Sequence, residues 1–226
     1  MNFLSHFYFE RYASESARVV GCLLPDLLKN ADKDYVFHPN RFEEQLFAHP
    51  QLTEIYQGWY RHVDVDKVFH SSTFFLEHNH QLRKKLDPIL SHLPIRASFM
   101  GHISLELLLD HLLIEHQMVN VNRLYEHLAH VNRPILKRFL EIIGLADTSK
   151  FFHFYDQFLE WKYIREYADL RSLPVPLFNI SKRVWSFQET EADRHALGNA
   201  LEEYAADSLN DFREIFRFVN DKLTVV

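Results

Sequence analysis

Glycine interrupts this chain only five times in 226 residues, while phenylalanine occurs 20 times. A sequence so poor in turn formers and so rich in large rings suits long elements packed through aromatic side chains, not many short strands joined by tight turns. The apolar pattern has the matching period. Between Gln51 and His70, residues Leu52, Ile55, Tyr56, Trp59, Tyr60, Val63 and Phe69 recur at helical spacing, as do Leu105, Leu108, Leu109, Leu112 and Leu113 further on. Helices are predicted over about 15–30, 51–70, 71–86, 95–116, 120–142, 148–168 and 189–222. Breaks are expected at Asp87-Pro88, at Leu93-Pro94, from Gly144 to Ser149, and across Pro174 and Pro176, with a weak signal for a short helix near Ser181. Thr190 with Asp193 has the spacing of a cap and first-turn acid opening the last helix. With no repeat, low-complexity linker or composition shift, the expectation is one all-α domain over residues 1–226, a multi-helix bundle.

Composition removes several function classes. The formal charge is −6, from 25 Lys and Arg against 31 Asp and Glu, with no basic block of the kind that tracks a phosphate backbone, so no nucleic-acid partner is expected. Cys22 is the only cysteine, which excludes an internal disulfide and a thiolate zinc cluster and fits a reducing cytoplasm. The start, with His6, Glu10 and Arg11, lacks the basic head and unbroken apolar stretch of a secretory signal. No apolar run is read as reaching the roughly 20 residues of a membrane span.

Histidine is abundant, 15 in all, of which 12 lie between His38 and His130. Most are expected to be surface or interhelical contacts. Two sets stand out. His62, Asp66 and His70 advance in steps of four; so do His102, Glu106 and Asp110, with His111 adjacent. On a helix such steps stack side chains along one face, each displaced by about 40°. Two such faces turned toward each other would present six potential ligands to a metal ion. The second set is surrounded by Ile103, Leu105, Leu107, Leu108, Leu109, Leu112 and Leu113, and carboxylates so embedded are costly to bury unless paired or metal-bound. Asp26, within Gly21-Cys22-Leu23-Leu24-Pro25-Asp26-Leu27-Leu28, poses the same problem. His6 joins it from the N-terminal segment, although both could equally be a core hydrogen-bonding residue or a helix cap.

The order Asn2-Phe3-Leu4-Ser5-His6, Gly21 to Asp26, Gly58 to His62 with Asp66, then Glu106 to Asp110-His111-Leu112-Leu113 resembles the acyl carrier protein phosphodiesterase family. That family shows NFLAH, GNLLADF, GIxxHRxIDxxTD and DxxxDHFLxxHW in the same order. The likeness covers residues 1–116 and is loose from Trp161 to Arg183. It implies an all-helical fold related to the HD-type metal phosphohydrolases. The implied reaction is hydrolysis of the phosphodiester that joins 4′-phosphopantetheine to a serine of holo acyl carrier protein, with a divalent cation such as Mn²⁺. The family's histidine and aspartate positions fall on His6, Asp26, His62, Asp66, Asp110 and His111. The chain departs from the pattern at Phe69-His70 for Thr-Asp, at Glu106 for Asp, at Val63 for Arg and at Gln117 for Trp.

From these residues the expected metal core is His62, Asp66, Asp26 and Asp110, with His70, His102 and Glu106 as further ligands or as partners that hold the ligands. Mixed imidazole and carboxylate ligation without sulfur suits Mn²⁺, and also Fe²⁺, Zn²⁺ or Mg²⁺. His6, Asp26 and His111 are expected at the reacting group, with His111 or His6 protonating the leaving alkoxide. Lys29 and Arg61 are candidate phosphate contacts. An acidic carrier-protein partner would call for a local basic surface, and Arg83-Lys84-Lys85, Lys137-Arg138 and Lys182-Arg183 are the candidates. Two other readings remain open: a helical scaffold whose polar residues are structural, and a hydrolase of another phosphoester such as a nucleotide.

Overall fold

Long apolar periods and scarce glycine produce helices throughout. A computed structural model of the chain describes residues 1–224, and among them there are twelve α-helices and no strand. They are α1 (Phe3–Glu10), α2 (Ser16–Ala31), α3 (Glu43–Phe47), α4 (Pro50–His70), α5 (Thr73–Leu90), α6 (Ala97–Glu115), α7 (Val121–His130), α8 (Arg133–Ile142), α9 (Ser149–Trp161), α10 (Pro174–Lys182), α11 (Glu191–Ser208) and α12 (Arg213–Thr224). Short 3₁₀ turns cover Pro39–Phe42, Tyr163–Ala168 and Leu170–Ser172. The all-α class is as the periodicity predicts. By contact density the helices form two compact units: residues 2–66 with 118–163, and Met1 with 67–117 and the residues from Ile164 onward.

Several boundaries differ from the sequence reading, each for a local reason. The stretch 120–142 is two helices. Asn132 accepts a hydrogen bond from the Ile135 amide and caps α8, while Pro134, in the first turn of α8, has no amide hydrogen with which to continue the bond ladder of α7. Pro88 does not end α5, which continues to Leu90 because Leu82, Leu86 and Leu90 are all buried along one side. Pro174 opens α10 instead of breaking the chain, since a proline at the first helical position loses no bond. The last helix divides after Ser208, and the divide carries Leu209 and Phe212 into the core. Helix α1 was not expected: Phe3, Leu4, Ser5, His6 and Phe7 are buried in succession, so no apolar period marks it.

In the unit of residues 2–66 and 118–163, aromatic packing is as the composition suggests. Phe3 and Phe158 rings pack at 5.2 Å, and Trp59 and Phe139 at 6.3 Å. Buried Tyr155 donates its hydroxyl to the Leu128 carbonyl at 2.7 Å. The decisive feature is how α2 and α4 meet. A Cβ on Gly21 would lie 2.2 Å from the Ile55 carbonyl oxygen, and one on Gly58 would lie 2.2 Å from that of Arg18. The two backbones touch where these glycines leave room, and this contact brings the C-terminal half of α2 beside the second half of α4.

In the other unit α5 packs along α6 and α11. α6 is apolar nearly all round, as a helix at the centre of a bundle must be. It is long and apolar enough by composition to cross a membrane, contrary to the expectation that no run would be, and 72% of its most apolar window is buried inside the protein. His78 on α5 meets the Tyr204 hydroxyl of α11 at 2.7 Å, an interhelical contact of the kind expected, and His92, in the segment after α5, meets Asp193 of α11 at 2.8 Å. The Thr190–Asp193 capping box is formed in both directions. Thr190→Ala should cost about 1 kcal/mol, read as a lowered urea midpoint with unchanged slope.

Glu189, just before that cap, is buried and receives hydrogen bonds from Lys182 at 3.0 Å and Arg194 at 2.8 Å. Burial pushes its carboxyl up, but the two cationic donors outweigh that and hold it at about 2, below its ordinary 4.5. A carboxyl with a lowered folded-state pKa contributes stability above its unfolded value and loses it as pH falls toward the folded one. Wild type should therefore lose stability relative to Glu189→Gln between pH 4.5 and about 2. Denaturation midpoints across that range check it; parallel curves would remove the effect.

Candidate metal centre

The four-residue spacing of His62 and Asp66 does place both on one face of α4, and the α2–α4 contact sets Asp26 opposite them. His62 Nε2 lies 3.6 Å from Asp66 Oδ2 and 3.9 Å from Asp26 Oδ1. α1 then lays His6 on His62, the rings stacked 3.7 Å apart and 15° from parallel, and puts His6 Nε2 at 3.3 Å from Asp66 Oδ1. Four residues from three separate helices thus converge within one unit.

The protonation states follow from the neighbours. His62 Nδ1 is 2.9 Å from the Cys22 carbonyl oxygen. A carbonyl only accepts, so Nδ1 carries a proton and Nε2 is the nitrogen turned toward the carboxylates. Nε2 thus faces two carboxylates, an arrangement that suits a proton or a cation among them. His6 is fully buried, and neither ring nitrogen makes a directed hydrogen bond. Burial first, then the adjacent His62, lowers its pKa from 6.5 to about 4, so the ring is neutral. Burial pushes Asp66 up, yet the His6 contact leads the effects that prevail over it, and the carboxyl lies far below the carboxylate range. Neutral imidazoles beside ionised carboxylates are the forms that bind divalent ions. Cys22 is not a ligand: its thiol donates to the His6 carbonyl at 3.3 Å, and burial raises its pKa well above 9.0.

Asp26 is not the buried acid that its apolar sequence surround suggests. Its side chain is 30% exposed and that of Asp66 34%, whereas His6 and His62 lie beneath them. The group therefore presents its carboxylates to solvent and its imidazoles to the core. His6, His62 and Asp66 each offer a ligand atom within 4.8 Å of the others, and Asp26 stands at the margin. The residues could hold a metal ion.

Each unit holds a group of candidate ligands. His70, His102 and Glu106 form the second, with His70 Nε2 3.1 Å from His102 Nε2 and both within 3.2 Å of Glu106 Oε1. Asp110 and His111 lie on α6 in that same unit and are buried. His111 repeats the His62 pattern, its Nδ1–H donating to the Tyr167 carbonyl at 2.8 Å while Nε2 stands 3.9 Å from Glu115. Neither candidate phosphate contact is unattached. Lys29 is exposed and donates to the Lys33 carbonyl, and Arg61 pairs with Glu10 at 3.3 Å. Glu10 is a residue that sequence reasoning passed over. It is 8% exposed and lies between Arg18 and Arg61, and only its place at the end of a helix too short to show a period could have hinted at this. The basic stretches likewise make internal ion pairs, Lys85 with Glu203, Lys137 with Glu141 and Lys182 with Glu189.

Comparison with protein-family models, with curated proteins and with solved structures finds no match.

Proposed function

We propose that this chain is a divalent-metal-dependent phosphodiester hydrolase in which His62, Asp66, Asp26 and His6 surround the ion, and that its substrate is the 4′-phosphopantetheine–serine diester of holo acyl carrier protein. The convergence of those four residues, remote in sequence, carries the metal-dependent chemistry. The ordered resemblance of residues 1–116 to the acyl carrier protein phosphodiesterases supports the substrate. Two carboxylates in the donor set favour a hard ion, Mn²⁺ first, with Mg²⁺, Fe²⁺ or Zn²⁺ as alternatives.

Bound there, such an ion supplies Lewis acidity to a phosphoryl oxygen and a water of lowered pKa. The residues do the rest. Asp66 and Asp26 concentrate negative charge at the solvent side and so recruit the cation. The Cys22 carbonyl sets the His62 tautomer and aims Nε2 at them. His6, neutral and enclosed, backs the His62 ring; this makes it a ligand or a support and withdraws it from the proton-donor role. The one-third exposure of both carboxylates favours a working site over a closed structural one, where all donors would be covered.

The test is hydrolysis of bis(p-nitrophenyl) phosphate, and release of phosphopantetheine from holo acyl carrier protein followed by mass, each with and without Mn²⁺. Metal-dependent release from the carrier protein supports both parts. Turnover of the small diester alone keeps the chemistry and withdraws the carrier. Bound metal with no turnover of either returns the group to a structural staple.

A further inference from the structure

The residues His70, His102 and Glu106 lie outside the centre just described, in the unit formed by Met1, residues 67–117 and those from Ile164 onward. We propose that they form a second cation site, one that takes a late first-row transition ion, Zn²⁺ in preference to Mg²⁺ or Mn²⁺.

The argument starts from three mutual distances. His102 Nε2 and Glu106 Oε1 are 3.0 Å apart, His70 Nε2 and His102 Nε2 3.1 Å, and His70 Nε2 and Glu106 Oε1 3.2 Å. Protons satisfy such a triangle poorly. If one imidazole carries its proton on Nε2, that proton points along one edge. If both do, two N–H groups confront each other. A cation at the centre satisfies all three edges at once: bonds of about 2.1 Å span edges of about 3.0 Å when they meet near right angles, as in six-coordination, and about 3.4 Å in a tetrahedral arrangement. The observed edges, 3.0 to 3.2 Å, lie between the two and nearer the first.

The surroundings hold the donors in place. His102 and Glu106 are one helical turn apart on α6, and His70 comes from the last turn of α4. The Phe75 ring meets the His70 ring at 4.8 Å and the His102 ring at 4.9 Å, both edge-on. Phe75 is itself set by the cap of α5, where its amide donates to Ser72 Oγ at 3.1 Å. The Met1 ammonium lies 3.0 Å from Glu106 Oε1. An entering ion competes with that ammonium for the same oxygen. The imidazoles are 31% and 38% exposed and the carboxylate 14%, so the ion is reached from solvent and keeps open positions.

Donor chemistry sets the preference. Two imidazoles and one carboxylate rank the metals in the order of increasing imidazole affinity, which puts Zn²⁺, Co²⁺ and Ni²⁺ far ahead of Mg²⁺. The other centre, with two carboxylates, is harder. One chain would thus carry two sites with different preferences.

Chelator-stripped full-length protein titrated with Zn²⁺ by calorimetry, and with Co²⁺ by visible absorption, tests this. Wild type should take up Zn²⁺ at a site that His102→Ala and His70→Ala each weaken at least about tenfold, while Asp66→Ala retains it. Both histidines are partly exposed, and far-UV circular dichroism and melting confirm that each variant is folded. Two outcomes overturn the proposal: Zn²⁺ and Co²⁺ titrations of both histidine variants that match wild type, or Zn²⁺ uptake that disappears wholly with Asp66→Ala. Asp66→Ala that leaves all metal binding intact counts against the first centre and leaves this one standing.

Discussion

Asp66→Ala should lose both the ion of the first centre and the hydrolysis that depends on it, with turnover down at least about a thousandfold, or about 4 kcal/mol at the barrier. The residue is the hinge of the group: one oxygen is 3.3 Å from His6 Nε2 and the other 3.6 Å from His62 Nε2. Without it, two stacked imidazoles and the outlying Asp26 remain, too few donors at too low a charge to retain a divalent ion. The fold should survive, because the side chain is one-third exposed and no core cavity results. Metal content by elemental analysis, turnover and urea unfolding, taken together, separate the roles. Unchanged activity and metal would remove the centre, and a chain that no longer folds would make Asp66 a structural residue.

The second large effect is on the crossing that builds this centre. Gly58→Ala should destabilise the protein by more than about 3 kcal/mol, at the upper end of what overpacking costs. The added methyl would meet the Arg18 carbonyl oxygen at 2.2 Å and the Cys22 amide at 2.7 Å. Both are backbone, so no rotamer change relieves the clash and α2 must retreat from α4. Alanine gains about 1 kcal/mol of helix propensity over glycine, which the clash exceeds. Gly198→Ala is the matched control. Its new methyl would meet only Pro174 Cγ at an ordinary 3.5 Å, so the propensity gain should stand and the variant be up to about 1 kcal/mol more stable. Urea unfolding of the two variants decides: equal stabilities would mean that α2 and α4 do not touch at Gly58. Retreat of α2 would also stretch the Cys22 carbonyl away from His62 Nδ1, so a folded Gly58→Ala should bind metal more weakly as well.

That coupling shows why the site was only partly legible. His62 and Asp66 could be paired from spacing alone, because one helical turn is a local geometry that every helix repeats. The burial of Asp110 was equally plain from its leucine surround, and so was the Thr190–Asp193 cap. The short helix α1 escaped because side chains buried on all sides have no period, so the stack of His6 on His62 had no signal beyond the family-like order of residues. The partners of His70 were hidden for another reason. Equal steps of four along α4 look alike in sequence, and which neighbour each step meets depends on the helices packed there.

The sequence by itself determined the helical class, most of the long helices, and which residue types could bind a metal. These follow from periods, caps and composition, all properties of neighbouring residues. Only the tertiary structure decided that His6, Asp26, His62 and Asp66 form one group and His70, His102 and Glu106 another. It also decided that a backbone carbonyl orients His62, and that Asp26 faces solvent. These depend on where helices distant in sequence touch. For α2 and α4 that contact lies at Gly21 and Gly58, where the absence of a side chain lets two backbones meet.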